Sequence, residues 1–286
     1  MFMPRKLLEE KLIRLLTDDL GLGDATVSAV IPSNLTSEAQ IVAKAAGTIA
    51  GIEEVTALAE AMDIRAEAKI IDGEEVSHGR ILMVLSGNTR ILLAIERTAL
   101  NLISRMSGIA TATKKITKEI ENSHLKTRIT ATRKTAPGLL YFDKKAVMVG
   151  GGDPHRLHLD DMILIKDNHI VAVGGLENAV KLAKKNASFS KKIEVEVTNK
   201  EDLVKAVELG ADIVMLDNFS AEKIKNAIEA IKVQRFGQKV LFEVSGGITS
   251  ENVQEFANTG VDLISLGELT HSVKALDISM EIVNTA

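Results

Sequence analysis

The chain contains no cysteine. That absence excludes disulfides, thiolate zinc sites and cysteine nucleophiles, and it is compatible with a reducing cytoplasm, the expected location. Long apolar runs are also missing. The longest, at 81–85 and 91–95, fall far below the ~20 residues that cross a bilayer, so no membrane segment is expected. The stretch 1–16 interleaves its apolar residues with Lys6, Glu9, Glu10, Lys11 and Arg14. It therefore lacks the uncharged core of a signal peptide and reads as an amphipathic helix. Nor is there an excess of positive charge. A net charge of −4 argues against a general nucleic-acid binder, which needs a basic surface to displace counterions from phosphates. Any anion must be held by local cations.

What is present is the composition of a soluble globular protein, 286 residues with 45% hydrophobic and 26% charged side chains, enough for one large domain or two ordinary ones. Up to about residue 100 the patterns are mixed. Helical segments before Asp18 and around 53–61 accompany strand-like runs at 39–45, 66–71 and 81–85, with turns at Asp72-Gly73 and Gly87-Asn88. This predicts an α+β unit with a small antiparallel sheet. A long helix is predicted over 91–121, because Leu100, Ile103, Met106 and Ala110 recur at three- and four-residue steps. Its other stripe, Arg97, Asn101, Ser104 and Gly108, is small and polar apart from the arginine. Such a stripe suits either a helix lying against a pocket or a surface helix with one solvated cation.

From Arg128 onward strand and helix alternate. Strands are expected at 128–132, 162–165, 193–197, 213–216, 240–244 and 263–266. Helices are expected at 177–184, 200–209, 221–231 and 251–257, with Gly210 and Gly260 as stops and Ser220 as a cap. Alternation favours parallel strands with right-handed crossovers. No GxGxxG turn follows an early strand, so a closed barrel is preferred to an open dinucleotide-binding sheet. In barrels the chemistry collects at the C-terminal ends of the strands.

Several residues there are charged. In Ile193-Glu194-Val195-Glu196-Val197 the period of two puts both glutamates on one face, which points inward if the apolar face meets the helices. Asp217 ends the next strand, near Glu196 at the same rim. Inward carboxylates call for cations, and a lysine, a metal or a cationic transition state would each serve. Arg133, Lys134, His155, Arg156 and Lys166 all lie at strand ends or in adjoining loops. Five like charges brought together imply a polyanionic ligand. The pair His155 and His158, with no helix to present them, is weak evidence for a metal. The loops at Ser245-Gly246-Gly247 and Gly267 sit where barrels build phosphate sites from backbone amides, although glycines serving only tight turns would look the same.

Read as strings in order, these segments resemble the quinolinate phosphoribosyltransferase family over nearly the whole chain. The string starts with Glu96-Arg97-Thr98-Ala99-Leu100-Asn101, Ser107-Gly108-Ile109-Ala110-Thr111 and Thr132-Arg133-Lys134-Thr135-Ala136-Pro137-Gly138. Gly150-Gly151-Gly152 then leads to His155-Arg156, and Leu164-Ile165-Lys166-Asp167-Asn168-His169 and Glu194-Val195-Glu196-Val197 follow. Met215-Leu216-Asp217-Asn218, Ser245-Gly246-Gly247-Ile248-Thr249 and Leu269-Thr270-His271-Ser272 complete it.

The resemblance implies an α/β protein: an N-terminal α/β sandwich domain (1–110, joined by 275–286) and an incomplete, about seven-stranded TIM-like α/β barrel (111–274). It implies transfer of phosphoribose from phosphoribosyl pyrophosphate to quinolinate, with loss of CO2, in NAD biosynthesis. It implies a homodimer in which Arg97 reaches the partner's barrel, and it leaves further assembly to a hexamer open. Arg97, Arg133, His155 and Arg156 would grip the quinolinate carboxylates, and Lys134 and Lys166 would line the reaction centre. Glu196 and Asp217 would face the ribose and a magnesium ion, and Ser245, Gly246 and Gly267 would hold the 5′-phosphate. The chain departs from the family's usual pattern at Ala131, Asp143, Met148, Val149 and Pro154, the last directly before His155. A related protein associated with molybdenum transport shares much of the motif set. Arg97, His155 and Arg156 together favour the quinolinate enzyme, and intact Lys134, Glu196 and Asp217 argue against a non-catalytic binding protein.

Overall fold

The computed structural model describes residues 3–233 and 240–286. Residues 1 and 2 of the predicted amphipathic helix lie outside that range. Contacts divide the chain into two compact units. The first comprises the chain up to Lys114 together with Tyr141–Gly151 and Val273–Ala286, and the second comprises Lys115–Leu140 and Gly152–Ser272.

The first unit begins with α1 (Arg5–Leu20), whose Leu8, Leu12 and Leu16 are buried at four-residue steps. It continues through α2 (Ala25–Val30), capped by the Asp24 side chain, then β1 (Thr36–Ala43), β2 (Gly47–Thr48) and α3 (Ile52–Ala61). The hairpin-rich part follows as β3 (Arg65–Ala68), β4 (Glu75–Val76) and β5 (Ile81–Asn88), and α4 (Thr89–Asn122) starts in this unit and runs on into the second. In the second unit come β6 (Arg128–Ala131), β7 (Ile163–Ile165), α6 (Asp167–Ala172), α7 (Leu176–Asn186), β8 (Ile193–Val197) and α8 (Lys200–Glu208), with α5 (Leu140–Val149) between β6 and β7 in the chain. Then come β9 (Ile213–Asp217), α9 (Ala221–Val233), β10 (Leu241–Ser245), α10 (Val253–Ala257), β11 (Leu263–Leu266) and α11 (Glu268–His271). The chain ends in β12 (Ile278–Thr285).

In the first unit the expected antiparallel sheet has the order β12-β1-β5-β3, beside a small β2-β4 pair. The C-terminal strand supplies an edge: Ala43 pairs with Ile278 and Ser37 with Thr285. The helix α5 falls inside the stretch that the sequence assigns to the barrel, yet it belongs to the first unit. Its charges explain this. Asp143 is fully buried against Arg105 of α4, and Lys145 reaches buried Glu54 of α3 at 2.7 Å.

In the second unit six parallel strands take the order β6-β11-β10-β9-β8-β7. In chain order each strand from β7 to β11 lies beside the next, and β11 closes back onto β6. The seventh strand position is reduced to one parallel bridge, Thr130 to Asp153. Among the described residues no bridge joins Asp153 to β7, so the barrel is incomplete there. Gly210 and Gly260 end their helices with φ of 76° and 84°, the left-handed conformation in which glycine carries no Cβ penalty. The apolar faces of the strands, including Ile193, Val195 and Val197, pack with Leu203, Val207 and Ile224 of the surrounding helices in one continuous core.

Candidate active site

Because the helices take one face of every strand, the other face turns inward, and residues two apart stack in layers. A lower layer is made of Thr130, Leu164, Glu194, Met215, Glu243 and Ser265. Two residues further along each strand, at or just past its C-terminus, an upper layer follows: Thr132, Lys166, Glu196, Asp217, Ser245 and Gly267. A cleft of about 620 Å³ is lined by Leu164, Met215, Glu243 and Ser265 of the lower layer, by the upper layer apart from Gly267, and by Arg133, Lys134, His155, Arg156 and Asn218. All of it lies within the second unit.

The cations and carboxylates form two groups. In one, Arg156 is pushed below the usual guanidinium value, first by burial and then by the charge of Arg133 beside it. A guanidinium disfavoured in this way, with a second beside it, makes a place for an anion. His155 belongs here too. It sits in a left-handed turn with φ 53°, and its backbone N–H donates to Asp153 Oδ1 at 2.8 Å. Its Nε2 lies 3.0 Å from Glu243 Oε2 and 3.4 Å from Glu194 Oε2. Burial works against charge on this ring, but the two carboxylates outweigh it and raise the imidazole to about 10.

In the other group, Lys166 Nζ donates to Glu196 Oε2 at 2.8 Å. The Lys166 backbone N–H donates to His169 Nδ1 at 2.9 Å, which fixes the start of α6 and the root of the lysine. Asp217 is raised from the usual carboxylate range by burial and then by the negative charge of Glu196. Asn218, left-handed at φ 58°, donates from Nδ2 to Asp217 Oδ2 at 2.7 Å and from its backbone N–H to Ser245 O at 3.1 Å. Ser245 is also the Cα partner of Asp217 in the sheet.

The glycine loop after β10 is required by its geometry. Gly246 and Gly247 have φ of 92° and 64°, and a Cβ on Gly246 would stand 2.4 Å from Asn218 Oδ1. Ser245 and Gly246 line the cleft. Gly267 does not; it stands next to Lys134, whose Cδ would be 3.5 Å from an added Cβ. The structure thus brings nine of the proposed residues to the cleft and Gly267 to its edge. Arg97 is on the exposed face of α4 in the first unit and is not a lining residue. His158 is exposed beside Asp160 and Asp161, apart from His155.

Asn218 falls in a motif string that gives it no role, and the buried chain beneath His155 escapes a reading by motif. Glu243 is fully buried and accepts from Ser265 Oγ at 2.5 Å, and Ser265 shares a second 2.5 Å bond with Thr130 Oγ1. The signal was available: Glu243 is the one charge in the apolar run 240–244, two residues before a cleft residue.

Similarity to known proteins agrees with the geometry. Residues 24–107 match the family described as Quinolinate phosphoribosyl transferase, N-terminal domain, and residues 109–281 match its C-terminal domain. A probable nicotinate-nucleotide pyrophosphorylase [carboxylating] of Methanocaldococcus jannaschii is 46% identical over 267 residues, covering 93% of each chain. The protein of the same description from Methanothermobacter thermautotrophicus is 43% identical over 264 residues, covering 92% of this chain and 95% of the other. Among solved structures, the nicotinate-nucleotide pyrophosphorylase from Francisella tularensis superposes with a TM-score of 0.88 at 37% identity, over 99% of this chain and 98% of that one.

Proposed function

The chain belongs to the quinolinate phosphoribosyltransferase family and carries its activity, and we propose that the cleft at the C-terminal ends of the barrel strands is where the reaction occurs. There quinolinate displaces pyrophosphate from phosphoribosyl pyrophosphate and loses CO2 to give nicotinate mononucleotide. The observation that supports this most directly is the placement, in one cleft, of Arg156 beside Arg133 and of Asp217 beside Glu196, with Arg156 and Asp217 each disfavoured as ions by burial first and then by the neighbouring like charge. The first group suits a dicarboxylate and the second a cationic reaction centre.

Arg133, Arg156 and His155 hold the quinolinate carboxylates, which planar guanidinium groups can meet with two hydrogen bonds. Lys134 and Lys166 hold phosphate oxygens of the other substrate, while Ser245, Gly246 and Gly267 cradle the 5′-phosphate. Glu196 and Asp217 face the anomeric carbon, whose oxocarbenium-like transition state their charge stabilises. The same oxygens fit magnesium: both are hard donors, and Asp217 gains from any cation placed near it. When bound, that ion supplies charge neutralisation for the departing pyrophosphate. The new bond makes the ring nitrogen a pyridinium, whose positive charge stabilises the electron pair left on the adjacent carbon when CO2 departs and before a proton replaces it. Among the described residues no helix is long and apolar enough to cross a membrane, which supports a cytoplasmic enzyme.

The test is an endpoint assay with phosphoribosyl pyrophosphate, magnesium and either quinolinate or nicotinate. Product from quinolinate alone is the expected result. Product from nicotinate alone would overturn the assignment of Arg133, His155 and Arg156 to a second carboxylate.

A further inference from the structure

The lower layer of the barrel contains charge that the reaction scheme does not use. Glu194 and Glu243 are both fully buried, and neither Glu194 oxygen has a hydrogen-bond partner. Both carboxylates approach the same atom, Nε2 of His155. Burial raises Glu194 well above the usual carboxylate range, to about 7, against the opposing pull of His155, so Glu243, at 3.0 Å, is the main anchor. A carboxylate there accepts and cannot donate, so Nε2 must carry a proton to be held. In a neutral ring the other nitrogen, Nδ1, would then present a lone pair, and a lone pair facing the cleft repels a substrate carboxylate. Only the doubly protonated ring can bond the glutamates behind it and donate to an anion in front of it.

We infer that Glu194 and Glu243 are positioning residues that lock His155 as a cation with its Nδ1–H directed to the cleft, so that quinolinate recognition does not depend on the prevailing pH. This rests on the reading of His155 as a grip for a quinolinate carboxylate. The lock spans the sheet: Thr130 of β6, Ser265 of β11 and Glu243 of β10 form one hydrogen-bonded chain that ends at the ring, and Glu194 approaches from β8. The other groups that bear on the ring are Asp153, which accepts its backbone N–H, and the neighbouring cations Arg156 and Arg133. Burial disfavours charge on His155, and the two glutamates outweigh it and raise the imidazole.

The same three side chains have ligand atoms within 4.8 Å of one another, so a divalent cation is the rival occupant. Kinetics from pH 6 to 9 separate the possibilities. In the unsubstituted enzyme the KM for quinolinate should show no step near the ordinary histidine value. Glu243→Gln and Glu194→Gln each keep one carboxylate against Nε2. Each should bind quinolinate almost normally at pH 6 and lose affinity by up to about tenfold per pH unit once pH passes the lowered value of the ring. The double variant should begin that loss at or below about 6.5. Their KM for phosphoribosyl pyrophosphate should stay unchanged, and Glu243→Asp should recover part of the loss. A KM that rises equally at pH 6 and 8.5, or not at all, overturns the inference. Nitrogen-15 NMR of the histidines should show both ring N–H groups of His155 at pH 8.5, with His155→Asn identifying the signal among the six histidines. A neutral ring there, or a stoichiometric metal lost in Glu243→Gln, equally refutes it. If His155→Asn leaves the quinolinate KM unaltered, the grip itself is wrong, an outcome distinct from failure of the lock.

Discussion

Asp143 shows what one residue can decide. It has no exposed surface, and both its oxygens accept from Arg105, at 2.7 Å from Nε and 2.8 Å from Nη2. That bond is the first cause of the elevated Arg105 value. Arg105 is only partly buried, so what Asp143→Ala removes is a two-point, charge-assisted hydrogen bond, which costs about 1.5–3 kcal/mol. Asp143→Ala should therefore lower the urea-unfolding free energy by that amount while leaving the KM values of the folded fraction unchanged. A loss below about 1 kcal/mol, the worth of a surface pair, would show that the two side chains do not rely on one another. In the sequence Asp143 is visible only as a shorter acid where glutamate is frequent. Its partner is 38 positions earlier, and no local pattern links them.

At the scale of the element, α4 is the most legible part of the chain. Periodicity predicts 91–121, and the helix spans Thr89–Asn122 with Ile103, Met106 and Ala110 fully buried. The small stripe on its other side is seen in the sequence but not what it meets. At Gly108 a Cβ would stand 2.3 Å from the backbone carbonyl of Lys274 and 3.0 Å from Ala275 Cα, on a segment that becomes adjacent only through the fold. Alanine would normally gain about 1 kcal/mol in helix propensity here. Collision with a backbone atom that cannot rotate away should exceed that gain. Gly108→Ala is expected to reduce stability by about 1–3 kcal/mol by denaturant titration, and a stabilised variant would mean that this approach is not made. The edge strand β12 was legible only through the family resemblance, because pairing between chain ends leaves no local signature. Barrel strands were readable from their apolar runs, yet their inward layers became apparent only once the register was known.

At the scale of the whole molecule, one proposed substrate residue has no place in the cleft of its own barrel. Arg97 is exposed on α4, in the first unit, whereas every lining residue belongs to the second. Strand ends advertised the cleft residues in the sequence because barrels concentrate chemistry there. Nothing in one chain's sequence or fold can show a residue used by another copy, so the role of Arg97 comes from the resemblance alone. Complementation decides it. If the chain assembles as the two-fold dimer that the resemblance implies, Arg97→Ala and Lys134→Ala should each be nearly inactive when expressed alone. When the two are co-expressed, a mixed dimer contains one cleft that keeps its own Lys134 and receives Arg97 from the Lys134→Ala subunit. The other cleft has neither. Random pairing makes half the dimers mixed, so about a quarter of the unsubstituted activity should return if two-fold symmetry exchanges Arg97 between barrels. Were Arg97 to act within its own chain, each cleft would retain a defect and co-expression would restore nothing. Sedimentation of the co-expressed protein as a dimer makes that negative result decisive against sharing.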